Sequence, residues 1–175
     1  MVFDSFIIHK ITKKDDSVLY NFAIANEDRM RLFFPLMLAQ NRTLPASKIF
    51  AEVKSKAFET DEEYLFTVKK EDNSQMIALV YIKELDWQKQ QGELAYCIDY
   101  NWERKGLTTK VVSILSSYAF QKLNLKTLQI IVHKSNIASI RVAQKCHFVW
   151  QKKLINAYTP PGGTPMDMEL YELYG

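Results

Sequence analysis

Glycine is nearly absent from this chain until its last segment. Only five of 175 residues are glycine, and Gly92 and Gly106 alone fall within the first 161. A dinucleotide-binding fingerprint or a phosphate-cradling P-loop needs several glycines within one turn, so neither can be built here. Metal-site patterns are missing too. There is no CxxC or HExxH, and His9, His133 and His147 stand far apart in sequence. No metal is expected, and nicotinamide oxidoreductases, P-loop kinases and simple zinc enzymes are set aside.

The composition is that of an ordinary folded domain. With 47% hydrophobic, 13% aromatic and 25% charged residues, a chain of this length buries roughly 70% of the surface it exposes when unfolded. A single domain over residues 1–175 is expected. The net charge is 23 − 20 = +3, and the cations are scattered among acids, so no nucleic-acid partner is expected. No apolar run approaches the ~18 residues that cross a bilayer, so no membrane partner is expected either. Asp4 interrupts the first apolar stretch and no small-residue cleavage site follows, which argues against a signal peptide. Cys97 and Cys146 are too few for a disulfide framework, which suits a reducing, cytoplasmic setting.

Hydrophobic spacing changes character at Asp61. Before it, residues 6–11 read as a short strand, with Asp15 and Asp16 placed to cap a helix. Residues 18–38 read as two helical pieces, the second stopped by Pro35. After a loop at 41–45, residues 47–58 put Ile49, Phe50, Val53 and Ala57 on one helical stripe. Residues 1–60 are therefore expected to be mostly helical. Beyond Asp61, residues 64–68, 76–82 and 93–98 are β-rich runs joined by polar turns at 71–74 and 86–91. Such short connections favour antiparallel neighbours. Leu107, Val111, Ile114, Leu115 and Tyr118 recur at helical spacing, and Asn124 suits a left-handed position just past that helix. A strand at 128–133, a helix at 136–146, a strand at 148–154, a loop at 158–165 and an alternating strand at 166–173 complete the order β, α, α, α, β, β, β, α, β, α, β, β. An antiparallel meander feeding a parallel βαβ unit makes a mixed α+β domain.

Two places carry chemical information. Gly106 stands between a strand and a helix in the run Trp102-Glu103-Arg104-Lys105-Gly106-Leu107-Thr108-Thr109. A helix N-terminus offers unpaired N–H groups and about half a positive charge, so it can hold a phosphate, and Arg104 and Lys105 add charge. A glycine that only turns the chain explains the same residue. Downstream, Asn136 is placed to cap a helix, with Ser139 one turn on. A cap and a surface serine account for that pair equally well.

Taken together, residues 92–150 resemble the GNAT superfamily of acyl-CoA-dependent N-acetyltransferases, most closely the branch containing ribosomal-protein N-terminal acetyltransferases. The landmarks are the strand Glu93-Leu94-Ala95-Tyr96-Cys97-Ile98, the loop at Gly106, a helix with an aromatic at Phe120, a further strand, and an Asn-x-x-Ser helix closed by Phe148. Four positions depart from the family pattern. Its phosphate loop reads Gln/Arg-x-x-Gly-x-Gly/Ala, whereas this chain has Glu103 first and Thr108 last. The glycine before the closing phenylalanine is His147. The tyrosine that many members use as general acid is Ala143.

The resemblance implies a central mixed β-sheet of about seven strands, antiparallel in its first half, with a splayed parallel pair in the middle and helices on both faces. It implies an acceptor-side region at 1–60 and an acyl-CoA-binding core at 61–175. Acetyl-CoA would be the acyl donor, with a primary amine attacking it directly in a ternary complex and no metal required. Backbone groups of Tyr96, Cys97 and Ile98 would hold the pantetheine arm like an added strand, facing a lip at 128–133. The N–H groups of Arg104, Lys105, Gly106, Leu107, Thr108 and Thr109 would face the pyrophosphate, and Asn136 and Ser139 the pantetheine or sulfur end.

Because most acceptor amines are protonated at neutral pH, a base must first remove a proton. Glu93 is the candidate base; an exposed strand-edge glutamate is the plainer alternative. Ser139 is the candidate acid or relay, unless it only contacts the cofactor. Tyr158 also lies within reach of such a role, although loop tyrosines more often serve packing, and Cys146 and His147 are read as structural.

Phe33, Phe34, Met37 and the loop Asn41-Arg42-Thr43 are candidate acceptor walls, and Glu62, Glu63, Glu84 and Asp86 a candidate acidic lip. The acceptor itself, a protein N-terminus or a small amine, is not legible, and monomer and homodimer are equally reasonable. Two other readings stay open: an acyl-CoA-binding module of this fold with weak or no catalysis, and a protein-interaction domain that holds no CoA.

Overall fold

Strands joined by short turns become neighbours in the sheet, and those joined through helices need not. The computed structural model describes residues 1–72 and 74–175. The strands are β1 (Val2–Phe3), β2 (Phe6–Lys10), β3 (Tyr64–Lys70), β4 (Met76–Asp86), β5 (Gln91–Ile98), β6 (Thr127–Val132), β7 (Val149–Tyr158) and β8 (Met166–Tyr174). The helices are α1 (Asp16–Ala25), α2 (Glu27–Phe33), α3 (Pro35–Ala39), α4 (Leu44–Glu59), α5 (Leu107–Lys122) and α6 (Ile137–Lys145). Hydrogen bonding orders the strands β1-β2-β3-β4-β5-β6-β8-β7. The sheet has eight strands rather than seven, because residues 2–3 fold back on β2 as a short antiparallel edge. β5 and β6 run parallel, while β2–β3, β6–β8 and β8–β7 are antiparallel.

The chain divides into two compact units. The first comprises Met1–Tyr81 and Tyr96–Lys105, the second Ile82–Ala95 and Gly106–Gly175, so β4 and β5 each contribute to both. In the first unit α1 packs on α4 over a core containing Ile8, Ile11, Leu19, Phe22, Leu65 and Val68. Thr43 caps α4, its Oγ1 accepting the Ala46 N–H at 3.3 Å, with Pro45 in the first turn, where a missing N–H costs nothing. The buried residues of α4 are Ser47, Phe50 and Ala51, whereas Ile49 is 63% and Val53 57% exposed. Small side chains at 47 and 51 let the helix approach closely. The helical period alone could not tell that stripe from the one containing Ile49 and Val53.

Three further expectations change. Residues 16–39 make three helices instead of two, because Pro35 both follows the end of α2 and opens α3 at its first position. Asp15 stands at the N-cap position of α1, but its side chain makes no capping bond to that helix. Its Oδ2 accepts the Thr12 N–H at 2.7 Å and the Thr12 hydroxyl at 3.0 Å, and its Oδ1 pairs with Lys69. Tyr158 is the last residue of β7, opposite Met166, instead of lying in a loop. The turn expected at 71–74 includes Asn73, which lies outside the described residues.

In the second unit α5 packs against α6, and Val111, Val112, Leu115, Leu128, Ile130 and Phe148 are buried. Asn124 has φ 53, the left-handed position expected just beyond α5. Among the described residues, no helix is long and apolar enough to cross a membrane.

Candidate active site

The parallel pair in the second unit is short. β5 and β6 are in register only at Gln91↔Thr127, Gly92↔Leu128 and Glu93↔Gln129, although β6 continues to Val132 and remains paired with β8 throughout. Among the described pairings, the β5 side of β6 is therefore open from Ile130 onward. An open edge of this kind can take an extended ligand as an added strand. Glu93 is the last residue of β5 that pairs with β6. Its side chain is 14% exposed and its Oε1 lies 3.0 Å from Lys83 Nζ on β4. Burial raises the Glu93 carboxyl above its ordinary value, Lys83 draws it down, and the Glu84 charge adds a smaller upward push. A carboxyl so placed is neither a free strand-edge group nor a fully neutralised one.

Beyond Glu93 the alternation of β5 slips. Gly92 and Leu94 are buried, then Ala95 and Tyr96 are both half-buried, and Cys97 is buried again. Strict two-residue alternation along the strand thus holds only to Ala95. Burial pushes the Cys97 thiol up to about 12, so that side chain is a packing element.

The second unit also contains the N-terminus of α5. Gly106 is its N-cap, with φ 75, and no side chain caps the first turn. The first helical bond is Lys110 N–H to Gly106 O at 3.2 Å, so the N–H groups of Gly106, Leu107, Thr108 and Thr109 have no partner within the helix. A Cβ built on Gly106 would meet nothing within 4 Å, so the space beside Gly106 is open. Four amides and the positive end of a 16-residue helix suit an anion. Leu107 is buried and holds the helix start in place.

Asn136 caps α6, its Oδ1 accepting the Ser139 N–H at 3.1 Å. The cap alternative thus accounts for the Asn136 carbonyl, and Ser139 sits half-buried in the same first turn. At the other end of α6, Cys146 Sγ lies 3.4 Å from Thr109 O and 3.5 Å from the Ser113 hydroxyl. This ties the helix to the first turns of α5.

In the first unit, residues that sequence reasoning missed organise the chain that follows β5. Asn26 lies between α1 and α2. Its Nδ2 donates to Phe22 O at 2.9 Å and to Asp99 Oδ2 at 3.3 Å, and its Oδ1 accepts the Tyr100 N–H at 3.1 Å. Asp99 is buried and also accepts the Asn101 N–H at 2.8 Å. On α2, Arg29 donates to Ile98 O, pairs with the Glu103 carboxylate and lies over the Tyr100 ring, its Cζ 4.2 Å from the centroid. Glu103 is therefore neutralised within the unit instead of projecting as a lone acid. Lys105 lies over Trp102 at 4.5 Å, and Arg104 is exposed with φ 58. No local signal marks Asn26 or Arg29, since Asn26 meets Asp99 from 73 residues away.

The acetyltransferase (GNAT) domain model matches residues 5–149. The chain belongs to the GNAT acetyltransferase family. A probable N-acetyltransferase of Bacillus subtilis, YjcK, is 30% identical over 91 residues, which are 51% of this chain and 50% of that protein. The match thus spans about half the length of this relative. The fold is similar to that of the ribosomal-protein-S5-alanine acetyltransferase of Vibrio fischeri, with a TM-score of 0.87 at 16% identity, covering 99% of this chain and 95% of that one. It is also similar to RimL, a ribosomal α-N-protein acetyltransferase in complex with coenzyme A. There the TM-score is 0.88 at 12% identity, covering 99% and 96%.

Family membership gives the departures in this GNAT domain a structural setting. The acid at the first loop position, Glu103, is the partner of Arg29. His147 occupies the usual glycine position with φ 66. Ala143 is fully buried, so no hydroxyl is offered from that turn. Of the acceptor-wall candidates, Met37 is buried, Phe33 is 42% exposed, and Arg42 pairs with Glu27 at 3.0 Å. Among the described residues, no group of three or more His, Cys, Asp or Glu is arranged to hold a metal ion.

Proposed function

We propose that this GNAT domain transfers the acetyl group of acetyl-CoA to a primary amine by direct attack in a ternary complex. The acceptor is a protein N-terminal amine or a small-molecule amine. The observation that carries the reading is the end of the β5–β6 register at Glu93↔Gln129, which leaves the β6 edge open beyond it. In the second unit, backbone groups from Ile130 to Val132 would receive the pantetheine arm; in the first, Tyr96, Cys97 and Ile98 are the candidate backbone groups. The fit extends to the phosphates. The open amides of Gly106 to Thr109 would receive the pyrophosphate, with Arg104 and Lys105 adding charge. Acetyl-CoA supplies the activated acyl group.

The protein's own tasks are then proton removal and orientation. Glu93, with its carboxyl raised by burial, is the base for the acceptor ammonium, directly or through one water. Ser139, in the first turn of α6, contacts the pantetheine or passes a proton to the departing thiolate. Such chemistry needs acetyl-CoA, and two free cysteines suit a reducing setting, so we place the protein in the cytoplasm, as a monomer or homodimer.

A second reading, an acetyl-CoA-binding module without turnover, is favoured by one observation: Ala143 is buried and offers no acid. Thermal-shift titration with acetyl-CoA against CoA, ATP and NADH tests binding. Ligand at ~100 times its Kd stabilises by about 2.7 kcal/mol, a rise of roughly 5–10 °C at this size. A shift confined to the CoA compounds, followed by acceptor-dependent thiol release across a panel of amines, is the expected result. Binding without release from any acceptor supports the second reading, and no shift at millimolar acetyl-CoA overturns both.

A further inference from the structure

Arg29 makes three contacts with one stretch of chain. Its guanidinium donates to the last carbonyl of β5, Ile98 O; it pairs with the Glu103 carboxylate; and its Cζ lies over the Tyr100 ring, 4.2 Å from the centroid. Its side chain is 15% exposed. The segment it holds is short and locally strained. Asp99 caps a 3-10 turn at Tyr100–Trp102, Glu103 is extended, and Arg104 is left-handed at φ 58 without being glycine. A backbone of that shape persists only where its surroundings fix it, and here Asn26, Arg29 and the edge of Phe6 on Trp102, 5.1 Å away, do so.

We propose that Arg29 is a positioning residue that fixes the loop at 99–105 for an anionic ligand, and that it cancels the charge of Glu103 so that Arg104 and Lys105 set the sign of the loop. The planar fork suits both duties at once, since a lysine would supply the charge but not the simultaneous grip on a carbonyl, a carboxylate and an aromatic face. The inference rests on the acetyl-CoA reading for the identity of the anion. The loop geometry itself does not.

The roles of Arg29 and Glu103 are therefore unequal, and this distinguishes the proposal from a salt bridge that only adds stability. Deuterium exchange of the amides at 100–105 and steady-state kinetics in acetyl-CoA are measured for Arg29→Met, Arg29→Lys, Glu103→Gln and Arg29→Met/Glu103→Gln. Arg29→Met is expected to speed exchange at 100–105 and to raise the KM for acetyl-CoA by about tenfold, with kcat within about twofold. Glu103→Gln leaves that KM at or below the parental value, and the double variant recovers part of the loss. Arg29→Lys recovers the charge effect without the exchange protection, and stands in if the methionine variant does not fold. Equal increases in KM for Arg29→Met and Glu103→Gln overturn the proposal, as does unchanged loop exchange in both Arg29 variants. If the unaltered protein binds no acetyl-CoA, the transferase reading fails, and the exchange data alone decide whether Arg29 holds the loop.

Discussion

Lys83 Nζ stands 3.0 Å from Glu93 Oε1, bridging β4 and β5 at the last residue where β5 pairs with β6. The pair sets two opposed pulls on one carboxyl, burial upward and the ammonium downward, and burial is the larger. A base tuned in this way loses its proton at a pH that depends on Lys83. Glu93→Gln is expected to cut turnover by ~100-fold or more. Lys83→Met leaves burial unopposed, so the acidic limb of the kcat/KM profile moves to higher pH. An unchanged limb would remove Lys83 from the account.

The same shift makes a prediction for stability. Glu93 binds its proton more tightly folded than unfolded. Its stabilising contribution is therefore complete below the ordinary carboxylate value of about 4.3 and is lost as pH rises through the higher folded value. The urea midpoint of Glu93→Gln, relative to the parent, should be more favourable at pH 7 than at pH 4. The reverse trend would mean that the attraction to Lys83 outweighs burial.

His147 occupies a position built for glycine. Phe148 N–H donates to Ala143 O at 3.0 Å and His147 N–H to Gln144 O at 3.1 Å, the paired bonds of a Schellman motif, and His147 carries the left-handed φ of 66. A side chain there costs roughly 1–2 kcal/mol, partly offset by the entropy glycine loses on folding. His147→Gly should raise stability by about 1 kcal/mol, or Tm by roughly 2–4 °C. Calorimetry measures it directly.

Gly92, the second residue of the parallel pair, is closely packed. A Cβ on it would lie 3.1 Å from Leu85 Cδ2, 3.2 Å from Leu125 Cδ1 and 3.4 Å from Ile82 Cγ2. Leucine tips can yield to a single methyl, but a branched side chain overfills the site. Gly92→Val is expected to destabilise by about 1–3 kcal/mol, seen as a lower denaturation midpoint. A neutral result would show that β5 can shift at its start.

Both cysteines are buried, and burial raises both thiols, Cys97 to about 12. At pH 8 the Cys97 thiolate fraction is about 10⁻⁴, against roughly a quarter for a free thiol of ordinary value. Iodoacetamide should leave Cys97 unlabelled in the folded protein and label it readily in denaturant, as read by peptide mass spectrometry. Rapid labelling of the folded protein would contradict this packing.

Short-range chemistry was largely readable from the residues. The strand-to-helix turn at Gly106, the Asn136 cap, the left-handed Asn124 and the order of strands and helices each depend on neighbours within a turn or two. The errors lie where two local patterns compete. α4 has an exposed apolar stripe beside its buried one, and Pro35 both ends a helix and starts another. The additional strand, β1, is two residues long, below what alternation can register.

Local residue patterns set the family-like succession of elements and the chemical types at the loop and the two helix starts. Tertiary structure decided how those residues are used. It brought Arg29 to Glu103, Asn26 to Asp99 and Lys83 to Glu93, turning an apparently misplaced acid into half of an ion pair and an ordinary carboxyl into a partly buried one. Charge, burial and protonation depend on which distant segments share a neighbourhood. That is fixed by strand register and packing, which no window of adjacent residues contains.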